Sequence, residues 1–263
     1  GQAMPYAEVN GISLFHEVAG EGEPVVFIHG AAGNHMSWWQ QIPTFRQHYR
    51  CISIDQRGFG RSADVTGEGS RRYVDDVEAL LDHLGVGRCA LVAQSLGGRA
   101  ALGFALRHPE RVRALVMADT WGFFDWPEQE ERARALAAQQ AAAGAPLVVR
   151  ALGAAFQEHE PGKTFLYRQI EGLNPPREPA APFPGRPTPE DVRRLPVPVL
   201  CLVGAEDAVT PPPLIRAFHA LLPDAEYVEL PSLGHSVYFE DPVQFNEIVG
   251  AFLARHHADG SEA

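Results

Sequence analysis

The sequence predicts an α/β domain built on a mostly parallel sheet. Three observations point there. Short apolar runs alternate with helical stretches, the rhythm of βαβ units. The later runs are continuously apolar, as strands buried on both faces are. One long region, residues 123–195, interrupts the rhythm without destroying it. A chain of 263 residues, 45% hydrophobic and 21% charged, suits one large domain, or one domain carrying an insertion.

The β-like runs are "ISLFHEV" (12–18), "PVVFIHG" (24–30), "YRCISID" (49–55), "RCALVAQ" (88–94), "VRALVMAD" (112–119), "VPVLCLVG" (197–204) and "AEYVEL" (225–230). Between them lie helical patterns. In "YVDDVEALLDHL" (73–84), Val74, Val77, Leu80, Leu81 and Leu84 share one face. Thr210 reads as an N-cap with Pro211 at the first helical position, and Asp241–Pro242 repeat the device before the last helix.

The interrupting region is alanine-rich and helical at first ("EQEERARALAAQQAAAG") and proline-rich at its end ("NPPREPAAPFPGRP"). Proline there favours extended chain. "TPED" (188–191) then opens another helix. Connections between strands and helices usually run a few residues, so this length predicts an insertion. The expected organisation is a core of residues 4–122 and 196–258, with a cap of two or three helices at 123–195. Leu147, Val148, Leu152, Phe156, Phe165 and Leu166 are expected on its inner side.

The bulk numbers exclude several partner classes. A net charge of −11 argues against a phosphate-backbone partner, because such binders present basic surface. No apolar run reaches 18 residues, so no membrane span is expected, and no secretory signal pattern opens the chain. Cys51, Cys89 and Cys201 are odd in number, far apart and set in or beside apolar runs. They predict buried free thiols and a reducing, cytoplasmic setting.

The chemistry concentrates around "LVAQSLGG" (91–98). A nucleophilic serine needs a strand feeding a tight turn and then a helix, whose N-terminal N–H groups face a developing oxyanion. Ser95 has that context, between strand 88–94 and a helix expected over 96–107. Gly97 and Gly98 supply the small residues such a turn needs after the serine. Before it stands Ala93, where the usual Gly-x-Ser-x-Gly pattern has glycine; alanine is the next smallest side chain. A serine before paired glycines is also common in ordinary βα loops, so the assignment depends on partners.

A serine hydroxyl needs a base, and the base needs an acid to orient it. Asp207 lies just past one strand and His235 just past the next, at strand C-terminal ends where open sheets build sites. Glu206 neighbours Asp207 and is read as solvated. "HGAAG" (29–33) ends an earlier strand, placing the Ala31 N–H to join the Leu96 N–H as an oxyanion hole.

Five pieces together, "HGAAG" (29–33), "DQRGFGRS" (55–62), "AQSLGG" (93–98), "GAEDAVTP" (204–211) and "GHSVYFEDP" (234–242), resemble the α/β-hydrolase family of the capped type, in order and spacing. The resemblance implies a mostly parallel eight-stranded sheet flanked by helices, with a small helical cap insertion. It implies a Ser95–Asp207–His235 triad, an Ala31/Leu96 oxyanion hole, and no metal or organic cofactor. It also implies that Asp55 and Arg57 hold loops. Serine at position 95 argues against the dehalogenases and epoxide hydrolases of this fold, whose nucleophile is Asp. Carbon–carbon hydrolases resemble "GHW" at the histidine, where this chain has Ser236.

The function expected is a serine hydrolase cleaving a small, largely apolar carboxylic ester or lactone. Gln94, Gly30 and Trp121 are the candidates to touch substrate, Trp121 being the best placed of six aromatics (Trp38, Trp39, Trp121, Phe123, Phe124 and Trp126). Arg99 lies one helical turn after Ser95 and reads as a structural ion-pair partner. The partner expected is the small substrate alone, with no nucleic acid and no membrane; a homodimer is compatible with the sequence. Two other readings stay open: a lyase, synthase or carbon–carbon hydrolase using the same residues, and a small-ligand receptor.

Overall fold

Apolar runs become strands wherever both faces are covered. The computed structural model describes residues 5–140, 144–176, 179–181 and 187–257. Among them, eight strands form one sheet: β1 (Tyr6–Val9), β2 (Ile12–Ala19), β3 (Glu23–Ile28), β4 (Tyr49–Ile54), β5 (Cys89–Gln94), β6 (Val112–Ala118), β7 (Val199–Gly204) and β8 (Glu226–Leu230). Their spatial order is β1-β2-β4-β3-β5-β6-β7-β8. The β1–β2 and β2–β4 pairs are antiparallel; every other pair is parallel. Seven strands fall on the seven predicted runs. β1 has no such signature, because its four residues alternate exposed and buried at the sheet edge.

The helices are α1 (Ile42–Phe45), α2 (Tyr73–His83), α3 (Gly97–Arg107), α4 (Pro127–Ala138), α5 (Leu147–Arg150), α6 (Ala154–His159), α7 (Pro161–Gly172), α8 (Pro189–Arg193), α9 (Pro212–His219), α10 (Val237–Glu240) and α11 (Pro242–Arg255). Two apolar layers sandwich the sheet. Val77, Leu80, Phe104, Leu214 and Phe218, from α2, α3 and α9, pack with one face. Phe245, Val249 and Phe252 of α11 pack with the other, together with Tyr167 and Ile170 of α7. β5 and β7 are buried along their whole length, which explains their continuous apolar sequence.

Three local expectations need correction. α9 begins at Pro212, with Pro211 before it; Thr210 is no N-cap, because its hydroxyl is engaged with Asp207 and Asp119. Among the described residues, the segment between β6 and β7 carries five helical segments, α4 to α8, rather than two or three, since Pro146, Gly153 and Pro161 repeatedly restart the chain. Residues 141–143, 177–178 and 182–186 of its alanine- and proline-rich stretches lie outside the described residues. Phe165 does not face inward: it is 65% exposed. The buried face of α7 is Thr164, Tyr167 and Ile170, three residues apart as a helix stripe requires.

Asp241 does cap α11, accepting from the Gln244 N–H at 3.1 Å, with Pro242 at the first position. Thr188 and Asp191 form a reciprocal capping box on α8.

The backbone is crowded where α3 leaves β5. A Cβ on Gly97 would overlap the Ile28 carbonyl oxygen and lie 2.8 Å from that of His29. Backbone cannot yield there as a flexible side chain would. Gly97→Ala is therefore expected to cost about 1–3 kcal/mol by overpacking, read as a lower midpoint in chemical denaturation. Gly87→Ala, whose Cβ would meet nothing within 4 Å, should stay within about 0.5 kcal/mol of the parent protein.

Candidate active site

β5 ends at Gln94 and α3 begins at Gly97, so Ser95 and Leu96 alone make the turn. Ser95 adopts φ +48°, a left-handed conformation that costs a non-glycine residue free energy and persists only where surroundings enforce it. Here the Ser95 N–H donates to the Ala118 carbonyl at 3.0 Å, and the Ser95 carbonyl accepts from the Gly98 N–H at 2.9 Å. The strain projects Oγ beyond the C-terminal edge of the sheet. Gly98 allows the neighbouring approach, since a Cβ there would lie 2.5 Å from the Thr120 hydroxyl.

His235 Nε2 lies 2.8 Å from Ser95 Oγ. Its other ring nitrogen, Nδ1, lies 2.9 and 3.0 Å from the two Asp207 carboxylate oxygens. A carboxylate can only accept, so Nδ1 carries the proton and Nε2 is left to accept from the serine hydroxyl. All three residues are buried. Asp207 Oδ1 also accepts from the Val209 and Thr210 N–H groups, both at 2.8 Å. Thr210 Oγ1 sits 3.0 Å from Asp207 Oδ2 and 2.9 Å from the Asp119 carbonyl; with one proton it can donate to only one of them. The structure thus brings together the three residues that sequence reasoning paired. Glu206 donates its N–H to the Leu233 carbonyl and has no contact with His235 in the hydrogen-bond network.

Ala31 and Leu96 flank the serine. Leu96 is the residue before α3, where a backbone N–H has no acceptor within the helix. Ala31 follows His29–Gly30 in a turn closed by the Gly33 N–H on the Gly30 carbonyl at 3.1 Å. His29 fixes this turn: its Nε2 accepts from the Gln56 N–H at 3.0 Å, and its Nδ1 lies 2.8 Å from the Gly30 carbonyl. Gly30 itself is pressed on the site. A Cβ there would overlap Gln94 Oε1 and lie 3.1 Å from Ser95 Cβ.

The cavity before Ser95 is lined by Ala31, Ala32, Gln94, Leu147, Ala151, Tyr167 and His235. Its volume of about 10 Å³ holds no more than one water. Two larger clefts, of about 420 and 720 Å³, are lined by none of Ser95, Asp207 and His235. Trp121, expected to line the pocket, is not among the lining residues. It is buried in an aromatic cluster with Phe123, Phe124 and Trp126 at centroid distances of 5.2, 5.5 and 6.2 Å, and core packing claims its face. Gln94 lines the cavity, but its amide is committed to the His235 carbonyl at 2.9 Å.

Sequence reasoning missed three residues. Tyr167 reaches the cavity from α7, its hydroxyl 3.1 Å from Ser236 Oγ; the only sequence signal was its spacing from Thr164 and Ile170. Asp119, at the end of β6, has a fully buried side chain at φ +52°, and closes the run "VRALVMAD" without a pattern to distinguish it. Glu240 accepts from the Gly153, Gly234 and Ser236 N–H groups at 3.1 to 3.4 Å. It ties the loop holding His235 to the insertion, at a point where a Cβ on Gly234 would fall 2.8 Å from Gly153 Cα.

Asp55 and Arg57 hold loops, as expected. Asp55 accepts from the His35 and Arg61 N–H groups at 2.6 and 2.8 Å. Arg57 pairs with Asp76 at 2.9 Å and Asp64 at 3.2 Å. Arg99 donates to the Ala181 carbonyl and to Ser70 Oγ, a structural role. Cys51, Cys89 and Cys201 are buried free thiols; burial pushes Cys51 and Cys89 up to about 12 and raises Cys201 as well. Among the described residues, the one set of side chains close enough to hold a metal ion is Asp119, Asp207 and His235. His235 Nδ1 and the Asp207 oxygens are already bonded to each other.

Burial pushes the Glu240 carboxyl up to about 7, against the pull of its backbone N–H donors. An unfolded glutamate ionises near 4.5, so the unfolded chain loses this proton first. Stability from the protonated group is complete below about 4.5 and is lost as pH rises through about 7. Measured against Glu240→Gln, which cannot ionise, wild-type unfolding free energy should fall by roughly 3 kcal/mol between pH 4.5 and 8. A difference that stays constant with pH would show that Glu240 does not titrate in this window.

The chain matches the family model described as "alpha/beta hydrolase fold" over residues 23–242. It is 28% identical to a 2-hydroxy-6-oxo-6-(2'-aminophenyl)hexa-2,4-dienoic acid hydrolase of Metapseudomonas resinovorans, covering 95% of this chain and 90% of that protein. Among solved structures it is similar to a thermophilic esterase from Thermogutta terrifontis, with TM-score 0.80, 28% identity and coverage of 97% and 98% of the two chains. It is also similar to the enol-lactonase from Burkholderia xenovorans LB400, with TM-score 0.77, 25% identity and coverage of 95% and 100%. With an eight-stranded sheet and a strand–serine–helix turn at its edge, the chain belongs to the α/β-hydrolase family of enzymes.

Proposed function

We propose that this enzyme is a serine hydrolase cleaving a small, largely apolar carboxylic ester or lactone through an acyl-enzyme. The observation that carries the reading is one unbroken line of contacts: Ser95 Oγ at 2.8 Å from His235 Nε2, and His235 Nδ1 at 2.9 Å from Asp207. Ser95 attacks the carbonyl carbon while His235 Nε2 takes its proton. The resulting imidazolium is stabilised by the Asp207 carboxylate, which also holds the ring in the required tautomer. The Leu96 and Ala31 N–H groups receive the oxyanion. His235 returns the proton to the leaving oxygen, then activates a water to release the acyl group.

The walls support an apolar substrate: Ala31, Ala32, Leu147 and Ala151 offer only methyl and methylene groups beside the serine. Residues 123–195 serve as a cap on a core of residues 4–122 and 196–258. Because the cavity accommodates about one water, an ester enters only when Leu147, Ala151 and Tyr167 withdraw together with α5 and α7. A dienoic acid substrate is the second reading, favoured by the Metapseudomonas relative.

Ser95→Ala is expected to lower turnover of a p-nitrophenyl ester on the order of 10⁴-fold or more and to abolish labelling by a fluorophosphonate, with the fold intact by circular dichroism. Wild-type turnover in that variant would refute the nucleophile. Acetyl to hexanoyl esters should be cleaved much faster than palmitoyl, because the cap encloses little space. Replacing 123–195 with a Gly/Ser linker should flatten that chain-length series. Preference for long chains in the wild type would remove the cap from the account of specificity.

A further inference from the structure

Asp119 is the buried group for which the reaction above has no use. Its backbone is fixed three ways. The N–H donates to the Leu202 carbonyl at 2.7 Å, the carbonyl lies 2.9 Å from Thr210 Oγ1, and φ is +52°. These fixings aim the side chain inward from the end of β6. Oδ1 accepts from the Gly204 N–H at 3.1 Å. Oδ2 is buried without a hydrogen-bond partner. Ligand atoms of Asp119, Asp207 and His235 all lie within 4.8 Å of one another.

Two carboxylates so close in a buried place do not both ionise. The structure decides which one keeps the proton. Asp207 receives two backbone N–H groups and the His235 Nδ1–H, all of which favour its anion. Asp119 receives one N–H. The other titratable groups that act on Asp119 or respond to it are Glu240 and Tyr238 of α10 and Tyr167 of α7. None supplies a positive charge. Burial, and then the charge of Asp207, push the Asp119 carboxyl well above the usual carboxylate range.

We propose that Asp119 is a positioning residue for the catalytic line. Its Oδ2 holds a proton, donates it in a hydrogen bond to the Asp207 carboxylate, and so moderates the pull of Asp207 on His235. The bond satisfies the otherwise unpartnered oxygen. It also supplies a donor to Asp207 when the single Thr210 proton is spent on the Asp119 carbonyl. The proposal rests on the reading of Ser95, His235 and Asp207 as the catalytic line.

The test is an NMR titration of the His235 ring resonances in wild type, Asp119→Asn and Asp119→Ala. It is read on resting protein without substrate, so its outcome is independent of whether Ser95→Ala abolishes turnover. Asparagine is a neutral donor that also keeps the Gly204 bond, so the midpoint should move by less than about 0.3 unit. Alanine removes the donor, leaves Asp207 more basic, and should raise the midpoint by roughly half a unit or more. A fall of about one unit in either variant is the sign of a lost negative charge and would overturn the proposal. An unchanged midpoint in Asp119→Ala would overturn it as well. Should the alanine variant not fold, the asparagine variant decides: a midpoint within about 0.3 unit of wild type supports the proposal, and a fall of about one unit overturns it.

Discussion

The crowded turn between β5 and α3 is the constraint on which the rest of this structure depends. Ser95 is held at φ +48° because strand and helix pass so closely that Gly97 has no room for a Cβ beside the Ile28 carbonyl. The strain is local, and the cost of such a conformation is about 1–3 kcal/mol. Burial along β5 and α3 on both sides offsets it. Relaxing the turn would swing Oγ back over the sheet edge and out of reach of His235. Gly30, Gly98 and the buried Ala93 belong to the same requirement. The two glycines leave room for the Gln94, Ser95 and Thr120 side chains that crowd them.

Around that turn the enzyme confronts a second problem, buried negative charge. Asp207 and Asp119 lie side by side with no Lys or Arg among the residues that contact them in the hydrogen-bond network. A buried carboxylate is tolerated only when donors surround it. Asp207 has backbone N–H groups from its own tight loop and a histidine N–H. Glu240 follows the same rule with the N–H groups of Gly153, Gly234 and Ser236. Backbone donors supply in this site what cations supply at Arg57, where Asp76 and Asp64 form ion pairs. A cation beside Asp207 would compete with His235 for its charge; backbone dipoles fix the carboxylate without doing so.

Polar contacts on either side of the serine fasten the segment between β6 and β7 to the sheet's loops. Glu240 holds Gly153 against the loop of His235. Asn34 donates to the Ile170 carbonyl at 2.9 Å, and Asn174 donates to the Gly33 carbonyl at 3.0 Å, tying α7 to the turn that carries Ala31. On either side of Gly153 stand short helices, α5 and α6, of four and six residues. Helices of that length gain little stability alone and depend on packing. The walls over Ser95 therefore depend on polar contacts and on apolar packing together, with Ala151, Leu152, Tyr167 and Ile170 in one cluster with Phe239.

The order of strands and helices, the turn at Ser95 and the identities of Asp207 and His235 were legible in the sequence, because each is written locally. Continuous apolar runs mark buried strands, small residues mark close backbone approach, and chain order relates serine, acid and histidine. β1 escaped notice because an edge strand of four residues has too short a pattern to read. Thr210 looked like an N-cap, since a threonine before prolines carries that signal; only the folded loop shows its hydroxyl turned to Asp207 and Asp119. Trp121 looked like a pocket wall until the fold placed three aromatic neighbours around it. Tyr167 and Asp119 were invisible, because their meaning lies in what they face across 69 and 88 residues of chain, at Ser236 and Asp207. The sequence by itself determined which segments become strands and which polar side chains stand just past their C-terminal ends. Tertiary structure alone decided which side chains share one buried volume, because burial, proton position and cavity size arise from contacts between segments that carry no local trace of each other.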